Sequence, residues 1–345
     1  MSRFPFNAVI FDLDGTLVAT ERYWPDAARS ATRAFFEEQG ITRSIPASSE
    51  WLSMVGRPLE EAFAESFPDL DPGARTALLG ACQASEAARL GRGHAALLGG
   101  VAEALDQLQA RGVRLGVASN CGLDYLEAML NGLGLSRWIE QARCLRSPGV
   151  SDKAGMIAEL LDQFETRSAV VVGDRRGDRD ATWENGLPFV HVPRGYGMGE
   201  MDIGAEAVLD GMDQLIERLE QRDVVLRGIL DDLPSVEAVA VTGLPLAGKS
   251  ILSEDLRRVA RASGRALAVF DDPEPDSRQA CDAVIGLIAS EDVLVRRARG
   301  QRRGVEPVVE LLENLPERRA SLDAQPSALL LDVDNLLAPK RSTHE

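Results

Sequence analysis

Lysine is scarce in this chain: only Lys153, Lys249 and Lys340 occur among 345 residues, and arginine supplies the remaining positive charge. Positive charge is in deficit altogether, with a formal net charge of −16. A nucleic-acid-binding surface needs a basic stripe, so no nucleic-acid partner is expected. Small anionic substrates stay open, because a bound cation and a few local positive groups reverse the field inside a pocket. Cysteine is sparse too. Cys82, Cys121, Cys144 and Cys281 form no Cys-x-x-Cys pair, which excludes the usual zinc and redox motifs and suits a reduced, cytoplasmic setting. No apolar run approaches the roughly 18 residues that cross a bilayer, and the first strand begins too early to leave room for a signal peptide. No membrane partner is expected.

What is present is 45% hydrophobic and 27% charged residues, the balance of a soluble globular protein. The length predicts two domains, each able to bury its own core. The rest is organised around Ala8-Val9-Ile10-Phe11-Asp12-Leu13-Asp14-Gly15-Thr16-Leu17. Its apolar start, without alternation, reads as a strand buried on both faces of a parallel sheet. It ends in two aspartates and a glycine that permits a sharp turn. Two carboxylates thus reach the carboxyl end of a central strand, where open α/β sheets build their sites.

Residues 18–98 then carry a helical period broken by proline and glycine, as over 25–39 and 74–90, which predicts a small helical insertion after the first strand. From residue 101 strands and helices alternate. Helices are expected over 101–111, 124–132, 153–164 and near 181, and strands over 113–118, 168–172 and 189–192. A last strand and helix, 205–220, close the unit. Such alternation implies a doubly wound, mostly parallel sheet. A helical connector is expected over 222–235, and a second βα series over 236–345 with strands at 238–241, 266–270, 281–288 and 328–331. Both halves are acidic.

Phe11-Asp12-Leu13-Asp14-Gly15-Thr16-Leu17 resembles the first motif of the haloacid dehalogenase (HAD) phosphohydrolases, and the resemblance covers about residues 7–221. In that family a helical cap at the position of 18–98 closes over the active site. Hydrolysing a phosphomonoester through a covalent intermediate needs a carboxylate nucleophile, an acid/base, positive charge and a hard cation on oxygen ligands. The resemblance implies Asp12 as nucleophile and Asp14 as the acid/base. It implies Ser119 and Lys153 as the groups that hold the phosphoryl oxygens. Mg²⁺ is then expected on Asp12, Asp174, Asp178 and the main-chain carbonyl of Asp14. Asn120 and Arg57 become candidate substrate contacts.

Asp178-Arg179-Asp180-Ala181, Glu184-Asn185-Gly186, Arg194-Gly195-Tyr196-Gly197 and Val55-Gly56-Arg57-Pro58-Leu59 look like the phosphoglycolate-phosphatase-like branch. Ala19 departs from an aspartate common in the family, and Leu97-Leu98-Gly99-Gly100 lacks a usual proline. Dehalogenases of the superfamily lack the second aspartate, so Asp14 favours phosphate. Phosphonate-cleaving relatives need a cap lysine, and the cap has none; a mutase would need a cap Arg-Lys pair, of which only Arg57 is present.

Gly243-Leu244-Pro245-Leu246-Ala247-Gly248-Lys249-Ser250 satisfies the Walker A pattern between an expected strand and helix. Gly243, Gly248, Lys249 and Ser250 are therefore candidate nucleotide contacts, for ATP or another nucleotide. The stretch looks like small-molecule kinases of the adenylylsulfate and nucleotide kinase type. Arg296, Arg297, Arg299, Arg302 and Arg303 fall where such kinases carry a basic lid, or form a solvated helix face. Three functions follow as expectations. One is an Mg²⁺-dependent phosphatase of a small phosphorylated metabolite with an appended P-loop domain. The others are a bifunctional phosphatase–kinase and a nucleotide-sensing regulator. Eukaryotic polynucleotide kinase phosphatases share the domain order, but the acidic charge and the inserted cap argue against a polynucleotide substrate.

Overall fold

The structure, a computed structural model, describes residues 4–341 except 94, 195, 197–199, 234, 274, 279, 301–312, 318, 321–327 and 336. The first sheet holds six strands: β1 (Ala8–Phe11), β2 (Arg114–Ser119), β3 (Gln141–Cys144), β4 (Ala169–Gly173), β5 (Phe189–His191) and β6 (Ala207–Val208). Their order is β3-β2-β1-β4-β5-β6, and every pairing is parallel. β1 and β4 are buried along their whole length, which is why they read as unbroken apolar runs. The chain leaves β1 toward β2 and β3, then returns to place β4 on the other side. The reversal falls between β1 and β4, the point at which open α/β sheets leave a crevice.

Four helices make the insertion: α1 (Trp24–Gln39), α2 (Ser48–Met54), α3 (Leu59–Ser66) and α4 (Pro72–Leu90). They pack an aromatic cluster that is continuous with one face of the sheet, in which Trp51 lies 5.7 Å from Phe63 and Phe63 5.5 Å from Phe67, centroid to centroid. The outgoing and returning linkers hydrogen-bond to each other, Ala19 to Ala96 and Leu98 to Leu17, both at 2.9 Å. Ala19 is buried there.

Helices α5 (Val101–Ala110), α6 (Leu123–Gly132), α7 (Lys153–Gln163) and α8 (Arg176–Glu184) complete the first unit. β3 was not expected: Gln-Ala-Arg-Cys has no apolar run, and as an edge strand it needs none. A second difference is larger. The closing helix and the expected connector are one continuous helix, α9 (Leu215–Asp231). No proline interrupts it, and one side chain set serves two cores. Leu215, Ile216 and Leu219 pack into the first, and Leu226, Ile229 and Leu230 into the second.

The second sheet is mixed. It contains β7 (Ala238–Gly243), β8 (Ala268–Asp271), β9 (Ala283–Ile288), β10 (Ala328–Asp332) and β11 (Lys340–Arg341), in the order β11-β10-β9-β7-β8. Only the β10–β11 pair is antiparallel. Around it lie α10 (Lys249–Ala262), the one-turn α11 (Pro275–Arg278) and α12 (Glu291–Gly300). At the waist Arg222 of α9 is buried and its Nε donates to Asp255 of α10 at 2.9 Å. No helix among the described residues is long and apolar enough to cross a membrane.

Candidate active site

The site begins where β1 ends. Asp12 follows Phe11, and its N–H donates to Val172 of β4 at 2.9 Å, which fixes the strand end beside Gly173-Asp174. Gly15 turns the chain with φ +81°; a Cβ there would lie 2.5 Å from Asp174 Oδ2, so the turn needs glycine on both counts. Ser119 closes β2 on the other side of β1 and is buried.

Lys153 opens α7, whose Asp152 cap accepts from the Gly155 N–H at 2.9 Å. Its Nζ lies 2.5 Å from Asp12 Oδ1 and also donates to Asp178 Oδ1. Asp178 sits in the first turn of α8, where its Oδ2 accepts the Arg175 N–H at 2.9 Å. Asp12, Asp174 and Asp178 are all buried and offer oxygens within 4.8 Å of one another. Asp12 Oδ2 and both oxygens of Asp174 accept no hydrogen bond among the described residues. Unpaired buried carboxylate oxygens are costly, and a hard divalent cation on oxygen ligands is the group they fit.

The electrostatics say the same. Burial pushes Asp12 up to about 7 although Lys153 opposes it, and burial with the neighbouring Asp12 and Asp178 pushes Asp174 well above the carboxylate range. Lys153 is raised in turn: burial disfavours its charge, but Asp12 and Asp178 together outweigh burial. Three acids against one lysine leave the cluster short of positive charge.

Asp14 points elsewhere. Its Oδ1 accepts from Thr20 Oγ1 at 2.7 Å and from the Tyr125 hydroxyl at 2.5 Å, and Tyr125 in turn bonds Tyr23. Burial raises the Asp14 carboxyl, the direction that keeps a proton available for donation. Beyond it a cavity of about 830 Å³ opens between the cap and the sheet, reached by Asp14, Ser119, Asn120 and Arg57. Asn120 spends one donor on Gly56 at 2.9 Å, and Arg57 pairs with Glu65 at 2.7 Å.

The structure thus brings Asp12, Lys153, Asp174 and Asp178 together, with Asp14 and Ser119 beside them. Residues that the sequence did not single out also matter. Arg175 reaches from the α8 cap into the insertion, donating to Val55 at 2.6 Å and Ser53 at 3.2 Å. It lies inside the acidic motif, which drew attention only to its aspartates. Thr20 and Tyr125 carry no pattern that could have marked them. Glu86 lines the cavity from α4, where it reads as one more polar helical residue.

On the second sheet the glycine-rich loop joins β7 to α10. Gly243 has φ +152° and abuts Leu287, whose carbonyl would lie 2.5 Å from an added Cβ. Gly248 caps α10 in the left-handed region. Lys249 folds back on the loop, donating to the Gly243 and Leu244 carbonyls at 3.2 and 3.3 Å, with Asp272 at 3.3 Å. Ser250, in the first turn of α10, is exposed. Of the expected basic lid, Arg297 is buried and holds the Leu246 carbonyl at 3.1 Å, so it braces the loop from behind. Arg302 and Arg303 lie outside the described residues, as do the side chains of Arg296 and Arg299.

The model of haloacid dehalogenase-like hydrolases matches residues 9–192, more than half of the chain. The chain belongs to that family. Among curated relatives, the chain shares 32% identity over 221 residues with the phosphoglycolate phosphatase of Rhodospirillum rubrum, covering 61% of this chain and 89% of that one. It shares 30% over 196 residues with the tyrosine-protein kinase PtkA of Mycobacterium tuberculosis, covering 56% of this chain. The chain spans 64% of the length of that relative. The fold is shared with a predicted phosphatase from Clostridium acetobutylicum, with a TM-score of 0.54 and 23% identity, over 63% of this chain and 99% of that one. It is shared also with CbbY from Rhodobacter sphaeroides in complex with phosphate, with a TM-score of 0.51 and 22% identity, over 61% of this chain and 96% of that one.

Proposed function

We propose that this protein hydrolyses a small phosphomonoester by transfer of the phosphoryl group to Asp12 and then to water. The observation that carries the reading is the cluster of buried, unpaired carboxylate oxygens on Asp12 and Asp174 beside Lys153. In the first step Asp12 Oδ attacks phosphorus, the ester bond breaks, and Asp14 gives its proton to the leaving oxygen. In the second, water attacks the aspartyl phosphate and gives its proton to Asp14, which frees phosphate and restores Asp12. Lys153 keeps Asp12 ionised for attack, and Ser119 at the end of β2 hydrogen-bonds the phosphoryl oxygens. A bound Mg²⁺, held by Asp12, Asp174, Asp178 and the Asp14 carbonyl, would neutralise the phosphoryl charge. The unit responsible is residues 1–221, with 18–98 as its cap. Phosphoglycolate enters as a candidate through the Rhodospirillum relative's name.

Phosphate release from a panel of metabolite phosphates, with Mg²⁺ and after chelation, tests the reading. Release that is equally fast from Asp12→Asn would remove the covalent mechanism.

A second reading is favoured by the strand–loop–helix at 238–262: residues 236–345 bind a nucleotide through Gly243, Gly248, Lys249 and Ser250. The same domain is a poor kinase. Only α11 and its flanks separate β8 from β9, too short a stretch to build a wall there for a phosphate acceptor, and in-line positioning is worth about 7–11 kcal/mol when fully realised. The bifunctional and sensing alternatives, and the kinase activity named for PtkA, share one test. ATP·Mg²⁺ is titrated into the full-length chain and into Lys249→Ala, and phosphoryl transfer is followed alongside. Brisk Lys249-dependent transfer favours the bifunctional enzyme; binding that changes phosphatase rate without transfer favours the sensor.

A further inference from the structure

The cavity over Asp14 is unusual in its charge. Its charged lining is Asp14, Glu60, Glu86 and Asp124 against Arg57 and Arg146. Both arginines are already engaged, Arg57 with Glu65 at 2.7 Å and Arg146 with Glu60 at 3.3 Å. Glu86 is not engaged. It is 8% exposed, it faces the cavity from α4 one turn after Gln83, and it makes no hydrogen bond or ion pair among the described residues. Burial, and after it the nearby Asp14, hold its carboxyl well above the usual range.

A buried carboxyl with no cation beside it gives a second anion no compensating charge, while its oxygens accept from a donor, so it discriminates by what it rejects as well as by what it binds. A volume of about 830 Å³ also leaves room for a leaving group of sugar size. From this lining we infer that Glu86 selects the leaving group, whose distal end carries a hydrogen-bond donor, a hydroxyl or an ammonium, and no carboxylate or second phosphate. The inference rests on the phosphatase reading above and names its substrate class. It turns away from phosphoglycolate, whose distal carboxylate would meet Asp14, Glu86 and Asp124 while both lining arginines are paired with glutamates.

The test is kcat/KM of the full-length protein with Mg²⁺ on four esters: sorbitol 6-phosphate, phosphoethanolamine, 2-phosphoglycolate and p-nitrophenyl phosphate. The expected result is that the polyol or the amine ester exceeds phosphoglycolate by about tenfold or more. Which of the two leads tells a hydroxyl from an ammonium. Glu86→Gln is expected to narrow the gap, chiefly through KM, and Glu86→Arg to reverse it. Faster hydrolysis of phosphoglycolate by the wild type overturns the inference while leaving the phosphatase reading intact. Failure to hydrolyse any ester, p-nitrophenyl phosphate included, overturns that reading and this inference with it. An unchanged ranking in a folded Glu86→Gln protein overturns the role of Glu86. Should both variants fail to fold, the wild-type ranking still decides between the classes.

Discussion

The two sheets each carry a lysine beside an aspartate at a strand end, the end of central β1 in one and of edge strand β8 in the other, yet the two pairs differ in their exposure to solvent. Lys153 and Asp12 are 6% and 1% exposed, whereas Lys249 and its neighbour Asp272 are 18% and 43% exposed. In the first pair no water competes, so charges are held in a fixed arrangement and carboxylate oxygens are left for a cation. In the second, the ammonium group rests on its own loop's carbonyls and must leave them to meet a phosphate. Burial therefore pre-organises the first cluster and leaves the second pair open to solvent.

The largest effect that would break this contrast is at Asp12. Asp12→Asn keeps the shape but removes the proposed nucleophile, and a loss of about a thousandfold or more in phosphate release is expected, read by single-turnover assay. Removing divalent cation comes next. Chelation should abolish turnover and Mg²⁺ restore it, and Mg²⁺ should also raise the melting temperature of the wild type but not of Asp174→Asn.

Stability separates the lysines more finely. Lys153→Ala strands two buried carboxylates and should cost about 3–5 kcal/mol in urea unfolding. Lys249→Ala, at an open loop, should cost less than about 1 kcal/mol while weakening nucleotide binding. Equal losses at the two positions would erase the distinction.

A smaller effect sharpens it. Glu86 binds its proton more tightly in the fold than its ordinary value of 4.5. The folded state therefore holds more protons than the unfolded one above that value, and this contribution to stability is present below about 4.5 and lost as pH rises through the folded value. Glu86→Gln lacks that decline. The stability of wild type relative to variant should fall with rising pH, and a flat difference between about pH 4 and 8 would contradict the burial of an unpaired carboxyl.

Much of the first sheet could be read directly. β1 and β4 are buried on both faces, so apolarity without alternation marked them, and Asp12, Asp14 and Asp174 stood at their ends. The boundaries of α10 were legible because Gly248 starts it and its pattern is strongly amphipathic. β3 was invisible because an edge strand is held by pairing on one side and needs no apolar signature. α9 was cut in two because its apolar face changes core half-way, and periodicity does not say which core a face joins.

The amino-acid order by itself determined most of the elements, the strand-end aspartates and the rarity of lysine, since these depend on local periodicity and on residue type alone. Only the tertiary structure decided that Lys153 lies between Asp12 and Asp178, residues 141 and 25 positions away. It alone brought Thr20 and Tyr125 onto Asp14, Arg175 onto the cap, and Glu86 into the cavity. Burial and long-range contact set those charges, and both are properties of packing that no local stretch of sequence contains.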